Sequence, residues 1–107
     1  MAALKIGFIG LGLIGGSIAR ALRKFHPDYE LMASAHSQST LEEALREGVI
    51  HTACSEFDPA FSQCDYIFLC APVQTNLTYL PFLKENIKPT CIVTDVGITK
   101  AKIHHAA

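Results

Sequence analysis

The residues with the clearest chemical meaning are the glycines of Gly10-Leu11-Gly12-Leu13-Ile14-Gly15, a G-x-G-x-x-G run. They close the apolar stretch Leu4–Ile9 and open a segment with helical apolar spacing. Between a strand and a helix each glycine has a task. Gly10 permits the tight turn, Gly12 leaves the backbone bare for close approach of a pyrophosphate, and Gly15 lets the helix lie close on the strand. The first amide N–H groups of the helix, at the positive end of its dipole, then face the phosphates. With Leu11, Leu13 and Ile14 these glycines form the first candidate cofactor-binding segment, for a dinucleotide. The alternative is a glycine-rich turn that serves packing alone.

In an open parallel sheet, ligands bind at the carboxyl ends of the strands. Three further strand ends carry candidates. Domains that bind NAD place an acid about 20 residues after the fingerprint, on the ribose 2′-hydroxyl. Here that segment reads Ser34-Ala35-His36-Ser37, without an acid. A carboxylate would repel a 2′-phosphate, whereas an imidazole and a hydroxyl accept one. Ser34, His36 and Ser37 are therefore cofactor candidates, and the segment favours NADP over NAD. The alternative is an NAD site lacking its acid, with Ser37 only ending the strand. The next end is Cys70-Ala71-Pro72-Val73. Its small residues would admit a cofactor ribose, and Pro72 stiffens the turn; an ordinary strand-to-helix loop would read the same. The last is Asp95-Val96-Gly97-Ile98-Thr99-Lys100, where Gly97 would let the backbone approach a nicotinamide. Asp95 and Lys100 also suit an exposed turn.

The elements that must position these segments follow from the apolar pattern. Strands are expected at Leu4–Ile9, Glu30–Ala35, Val49–Ala53, Asp65–Cys70 and Cys91–Thr94. The run at residues 65–70 is apolar enough for a strand buried on both faces. A first helix over Leu13–Lys24 presents Ile14, Ile18, Ala21, Leu22 and Phe25 on one face. His26-Pro27-Asp28 ends it. Ser39-x-x-Glu42 reads as a capping box for a second helix through Arg46, and Gly48 supplies the left-handed position after it. Asp58–Gln63 reads as a short helix or turn. Thr75–Asn86 reads as a helix with a kink or restart at Pro81, and Lys100 onward as one helical turn. Alternating strands and helices imply an α/β fold of Rossmann type, a doubly wound parallel sheet with right-handed crossovers. Five strands are counted where the complete domain has six, so the chain reads as one truncated domain, an amino-terminal piece of a longer enzyme.

The bulk numbers agree. A chain of 107 residues, half of them hydrophobic and 18% charged, suits one globular domain. Its net charge of −1 carries no basic patch for nucleic acid. No apolar run is long enough for a bilayer span. Met1-Ala2-Ala3 leads straight into a strand, without room for a signal peptide. Cys54, Cys64, Cys70 and Cys91 show no C-x-x-C spacing, so they read as reduced, buried thiols of a cytoplasmic protein rather than as a metal or redox site.

Three segments together resemble one family. Gly10-Leu11-Gly12-Leu13-Ile14-Gly15-Gly16-Ser17, the loop Ala71-Pro72-Val73, and Thr94-Asp95-Val96-Gly97-Ile98-Thr99-Lys100 are similar to segments of the bacterial prephenate and arogenate dehydrogenases. The resemblance implies NAD or NADP as cofactor and prephenate or arogenate as small-molecule substrate. It implies oxidation of the ring carbon bearing the hydroxyl and decarboxylation to 4-hydroxyphenylpyruvate, a tyrosine precursor. It also implies a helical domain, outside these residues, that forms a homodimer. The family motif reads D-V-G-S-x-K, with its serine on the substrate hydroxyl; here Ile98 occupies that position. The family's catalytic histidine and substrate-binding arginine lie downstream, and His104 and His105 come too early to match the former. No catalytic residue is therefore assigned within this chain. Two other readings stay open: another Rossmann reductase, acting on a hydroxyacid or an imine, and a non-catalytic module that senses NADPH.

Overall fold

The computed structural model describes residues 4–35 and 37–95. The expectations for His36, Gly97 and Ile98, for a helical turn from Lys100, and for His104 and His105 lie outside these residues. Five strands form one parallel sheet: β1 (Lys5–Ile9), β2 (Glu30–Ser34), β3 (Thr52–Ala53), β4 (Tyr66–Leu69) and β5 (Ile92–Asp95). Their order is β3-β2-β1-β4-β5. Helices α1 (Leu13–Phe25), α2 (Gln38–Arg46) and α3 (Val73–Asn86) and a 3₁₀-helix (Pro59–Gln63) connect them. This is the expected doubly wound α/β sheet. Register matters most for function. Ile9 pairs with Ser34 on one side and Leu69 on the other, and Leu69 pairs with Asp95. Four strands thus end in one row, with β1 and β4, where the chain reverses direction across the sheet, at its centre.

Period-two alternation divides the core. Ile6 and Phe8 of β1 pack with Leu31, Ala33, Leu41 and Ala44 under α1 and α2. Ile9 packs with Met32, Ile67, Leu69, Tyr79 and Leu83 under α3. Cys54 and Cys64 are buried on that second side, where burial pushes their thiols up to about 11 and about 12.

Several local expectations need correction. The buried stripe of α1 is rotated: Gly15 and Ala19 are buried with Ile18 and Leu22 packed beside them, while Ala21 is exposed and Phe25 is 70% exposed. The helix turns its smallest residues to the sheet, because Gly15 must sit against the β1 turn. The N-cap of α2 lies two residues before the expected one. Ser37 is its N-cap and Ser39 lies inside the first turn; the two hydroxyls are 2.8 Å apart, and the Ser37 side chain caps no helix N–H. Gly48 is left-handed as expected, at φ +76°, and its N–H donates to Leu45 O. α3 starts at Val73 and continues through Pro81 without a restart. β4 is not sealed on both faces: Ile67 and Leu69 are buried, but Tyr66 and Phe68 are half-buried, with the Phe68 ring stacked on Phe8 and the Tyr66 ring tilted against that of Phe68. β3 is only two residues long. Its pairing with β2 is extended by His51, whose N–H donates to Leu31 O while its Nδ1 accepts the Leu31 N–H at 2.9 Å.

The base of the sheet is tied by Asp65, which accepts hydrogen bonds from Lys88 Nζ at 2.6 Å and from Lys5 N at 2.9 Å. The Lys88 hydrogen bond, then that of Lys5 N–H, lowers its carboxyl below the usual range. The Ala60 and Ser55 N–H groups lower Asp58 likewise. A depressed carboxyl contributes stability above its unfolded pKa of about 3.9 and loses it as pH falls through the folded value. The urea midpoint is therefore expected to fall as the pH drops below about 4, and Asp65→Asn to fall less steeply. Equal slopes for the two proteins would remove Asp65 from this account.

Candidate functional site

The row of strand ends opens into a cavity of about 420 Å³. Its walls come from three turns. The β1 turn contributes Gly10, Leu11 and Gly12. The β2 side contributes Ala35 and Ser37, with Thr40 of α2. The β4 turn contributes Cys70, Ala71 and Pro72, with Thr75 of α3.

Each fingerprint glycine does what its position demands. Gly10 has φ +83°, a backbone that favours glycine. A Cβ there would lie 2.6–2.8 Å from Ala71 Cβ, Cα and N, so the β1 and β4 turns are in direct contact. The Gly10 N–H also donates to Ser34 O, joining the β1 turn to β2. Gly15 is buried; a Cβ would meet Gly10 O at 3.1 Å and the Cys70 side chain at 3.4 Å. Gly12 differs. It is the exposed N-cap of α1, and a Cβ there would meet nothing within 4 Å. No side chain caps this helix end, and no acid lies in its first turn. The free N–H groups of an uncapped helix suit an anion. Leu13 and Ile14 form that first turn, and Val73 opens α3 just behind Pro72.

The cavity therefore gathers Gly10, Leu11, Gly12, Ser37, Cys70, Ala71 and Pro72 from the residues read in the sequence. Ser34 is set apart. Its side chain is buried 3.4 Å from Tyr79 Oη, in an adjoining cavity of about 270 Å³. Sequence reasoning missed Thr40, Thr75, Asn76 and Tyr79. Asn76 is buried, and its Nδ2 donates to Ala71 O at 2.9 Å, bracing the β4 turn. Asn76, Tyr79 and Leu83 recur at helical spacing on the buried face of α3. The visible signal was two polar-tipped residues in that otherwise apolar stripe.

Among the described residues the lining has no charged side chain. Burial, with the charge of Asp95 behind it, pushes the Cys70 thiol up to about 11, so it stays protonated and is no nucleophile at neutral pH. This surface is built to bind and orient. Bare backbone at Gly12, free helix N–H groups and hydroxyls at Ser37, Thr40 and Thr75 fit a phosphate-bearing nucleotide.

Known proteins agree with that description. The sequence model of the family described as "Prephenate dehydrogenase, nucleotide-binding domain" matches residues 18–107. Prephenate dehydrogenase of Bacillus subtilis is 36% identical over 95 residues, covering 88% of this chain and 26% of that protein. The Lactococcus lactis enzyme of the same name is 34% identical over 100 residues, covering 92% and 28%. Among solved structures, arogenate dehydrogenase of Synechocystis superposes with a TM-score of 0.77 at 39% identity, covering 87% of this chain and 32% of that one. Prephenate dehydrogenase of A. aeolicus, solved with hydroxyphenyl propionate and NAD+, reaches 0.81 at 23% identity over 91% and 34%, a likeness of fold. The chain spans about a quarter to a third of the length of these relatives. Sequence and fold converge on one assignment: the chain belongs to the prephenate dehydrogenase nucleotide-binding domain family.

Proposed function

We propose that the chain binds NAD or NADP in the groove above β1 and β4 and forms the cofactor half of a prephenate or arogenate dehydrogenase. The observation that carries the reading is Gly12: bare backbone at an uncapped helix end, with nothing within 4 Å of where a Cβ would stand. Gly12 and the first turn of α1 hold the pyrophosphate. Ala71 and Pro72, braced by Asn76, orient the half of the cofactor on the β4 side, and Gly97 is assigned to the nicotinamide. Bound there, the nicotinamide would supply the hydride acceptor for oxidation of the ring carbon that carries the hydroxyl, a reaction that releases carbon dioxide and leaves the ring aromatic. The identities of 36% and 39% to a prephenate and an arogenate dehydrogenase support this substrate class. The complete enzyme is a cytoplasmic homodimer in this reading, with the dimer formed by a helical domain outside these residues.

NADP is the preferred cofactor in this proposal. Among the described residues no acid lines the groove at the β2 end, where Ser37 and Thr40 contribute to the lining. Ser34, turned towards Tyr79, supports the wall, and His36 and Ser37 meet the 2′-phosphate.

Calorimetric titration of the wild type and of Gly12→Val with NAD and NADP tests both statements. The wild type is expected to bind both, NADP more tightly. A valine side chain in the space of the pyrophosphate costs about 1–3 kcal/mol, a loss of roughly tenfold to a hundredfold for either ligand. Equal binding by the two proteins would overturn the dinucleotide reading. Tighter binding of NAD than of NADP would overturn the preference alone.

A further inference from the structure

We propose that Glu56 reads the base of the dinucleotide, accepting a hydrogen bond from the exocyclic amine of adenine in the cavity beside the groove. This rests on the dinucleotide reading above. Gly10 and Ala35 line both cavities, so the two spaces are neighbours at the ends of β1 and β2. In this fold the adenosine ribose lies against the residue that follows β2. A base carried on that ribose, on the side away from β4 and β5, enters the space bounded by Ala35, Glu56 and Tyr79.

The polar groups there are unequally engaged. Tyr79 Oη accepts the Phe57 N–H at 3.1 Å and lies 3.4 Å from Ser34 Oγ. The Glu56 carboxylate, by contrast, makes no hydrogen bond or ion pair among the described residues. Its place is nevertheless fixed from both sides. The Ser55 N–H and hydroxyl donate to Asp58 Oδ2 at 3.0 and 3.1 Å. Phe57 is held by Tyr79, with its ring 4.5 Å from the tyrosine ring, and its φ of +54° is a costly conformation for a residue other than glycine. A strained, doubly anchored turn thus places an exposed carboxylate at the cavity wall.

A carboxylate accepts and does not donate. Adenine presents an amine at its 6-position, whereas guanine and hypoxanthine present a carbonyl oxygen there. Facing the N7 and 6-position edge, Glu56 accepts from the amine of adenine and meets only acceptor atoms on guanine and hypoxanthine. A site built to hydrogen-bond one group discriminates strongly against an analogue that lacks it.

The test is a binding titration of the chain with NADH and with its deaminated analogue, in which hypoxanthine replaces adenine. The wild type is expected to bind NADH about tenfold more tightly, as one charge-assisted hydrogen bond supplies. In Glu56→Ala the ratio should fall to about one. In Glu56→Gln, whose amide can serve either base, both ligands should bind with similar affinity. A wild-type ratio near one, or a ratio unchanged in Glu56→Ala, would overturn the proposal. Failure of the wild type to bind either ligand would overturn the dinucleotide reading, and this one with it.

Discussion

Gly10→Ala is expected to destabilise the chain by about 2–5 kcal/mol, far more than the same change at Gly12. Two costs combine. The left-handed backbone at φ +83° costs an L-residue about 1–2 kcal/mol. The new Cβ would also fall 2.6–2.8 Å from Ala71, two of whose three contacting atoms are backbone and cannot swing aside. Forcing such a contact costs about 1–3 kcal/mol more. The β1 and β4 turns must then part, and the groove they form opens with them. Gly12→Ala adds a Cβ that meets nothing within 4 Å, so its unfolding midpoint should stay close to that of the wild type. Thermal and urea unfolding of both variants measures the contrast. A Gly10→Ala protein within about 0.5 kcal/mol of the wild type, the range of ordinary surface changes, would refute the claim that the turn contact is rigid.

The isolated chain is expected to form no detectable NADH or NADPH from prephenate or arogenate. Among the described residues the groove lining carries no charged side chain to serve as general acid or base, and the Cys70 thiol stays protonated. Ile98 stands where the family motif has its serine, so the substrate hydroxyl has no partner there either. A positioned acid–base group typically contributes about 10²–10⁴-fold, and substrate carboxylates also need a cation to hold them. The absorbance of reduced nicotinamide during incubation with either substrate reads the outcome. Steady turnover would return Thr99, His104 or His105 to consideration. The companion measurement is Ile98→Ser in a protein that carries the whole of the proposed enzyme, where a gain in turnover is expected.

Much of the fold was legible because it rests on short-range pattern. Five apolar runs with alternating helices specify a parallel sheet, and the glycine spacing specifies where β1 turns. The same spacing located most of the groove, since Gly10, Gly12 and the Cys70–Pro72 turn sit at strand ends by topology alone. The missed features depend on rotation and distance. The α1 stripe could be placed only by knowing that Gly15 faces Gly10 O, a contact between a turn and a helix. Ser39 resembled a cap because its spacing to Glu42 was right, yet the chain turned earlier, at Ser37. Thr40 and Thr75 entered the lining because α2 and α3 begin beside the groove. Tyr79 and Glu56 are 23 residues apart, and nothing in one-dimensional spacing says that they share a cavity.

The β2–β3 edge holds a consequence of a different kind. Its outermost hydrogen bond is closed by the His51 ring, in the place a strand carbonyl would fill. A carbonyl is present whatever residue is written at a position; an unprotonated ring nitrogen at that reach is not. One rung of the sheet has therefore passed from the backbone, which mutation does not touch, to the genetic code, which it does. Most single-nucleotide changes at codon 51 would cut that rung, and descendants of this chain can keep it only by retaining histidine or finding another acceptor of similar reach.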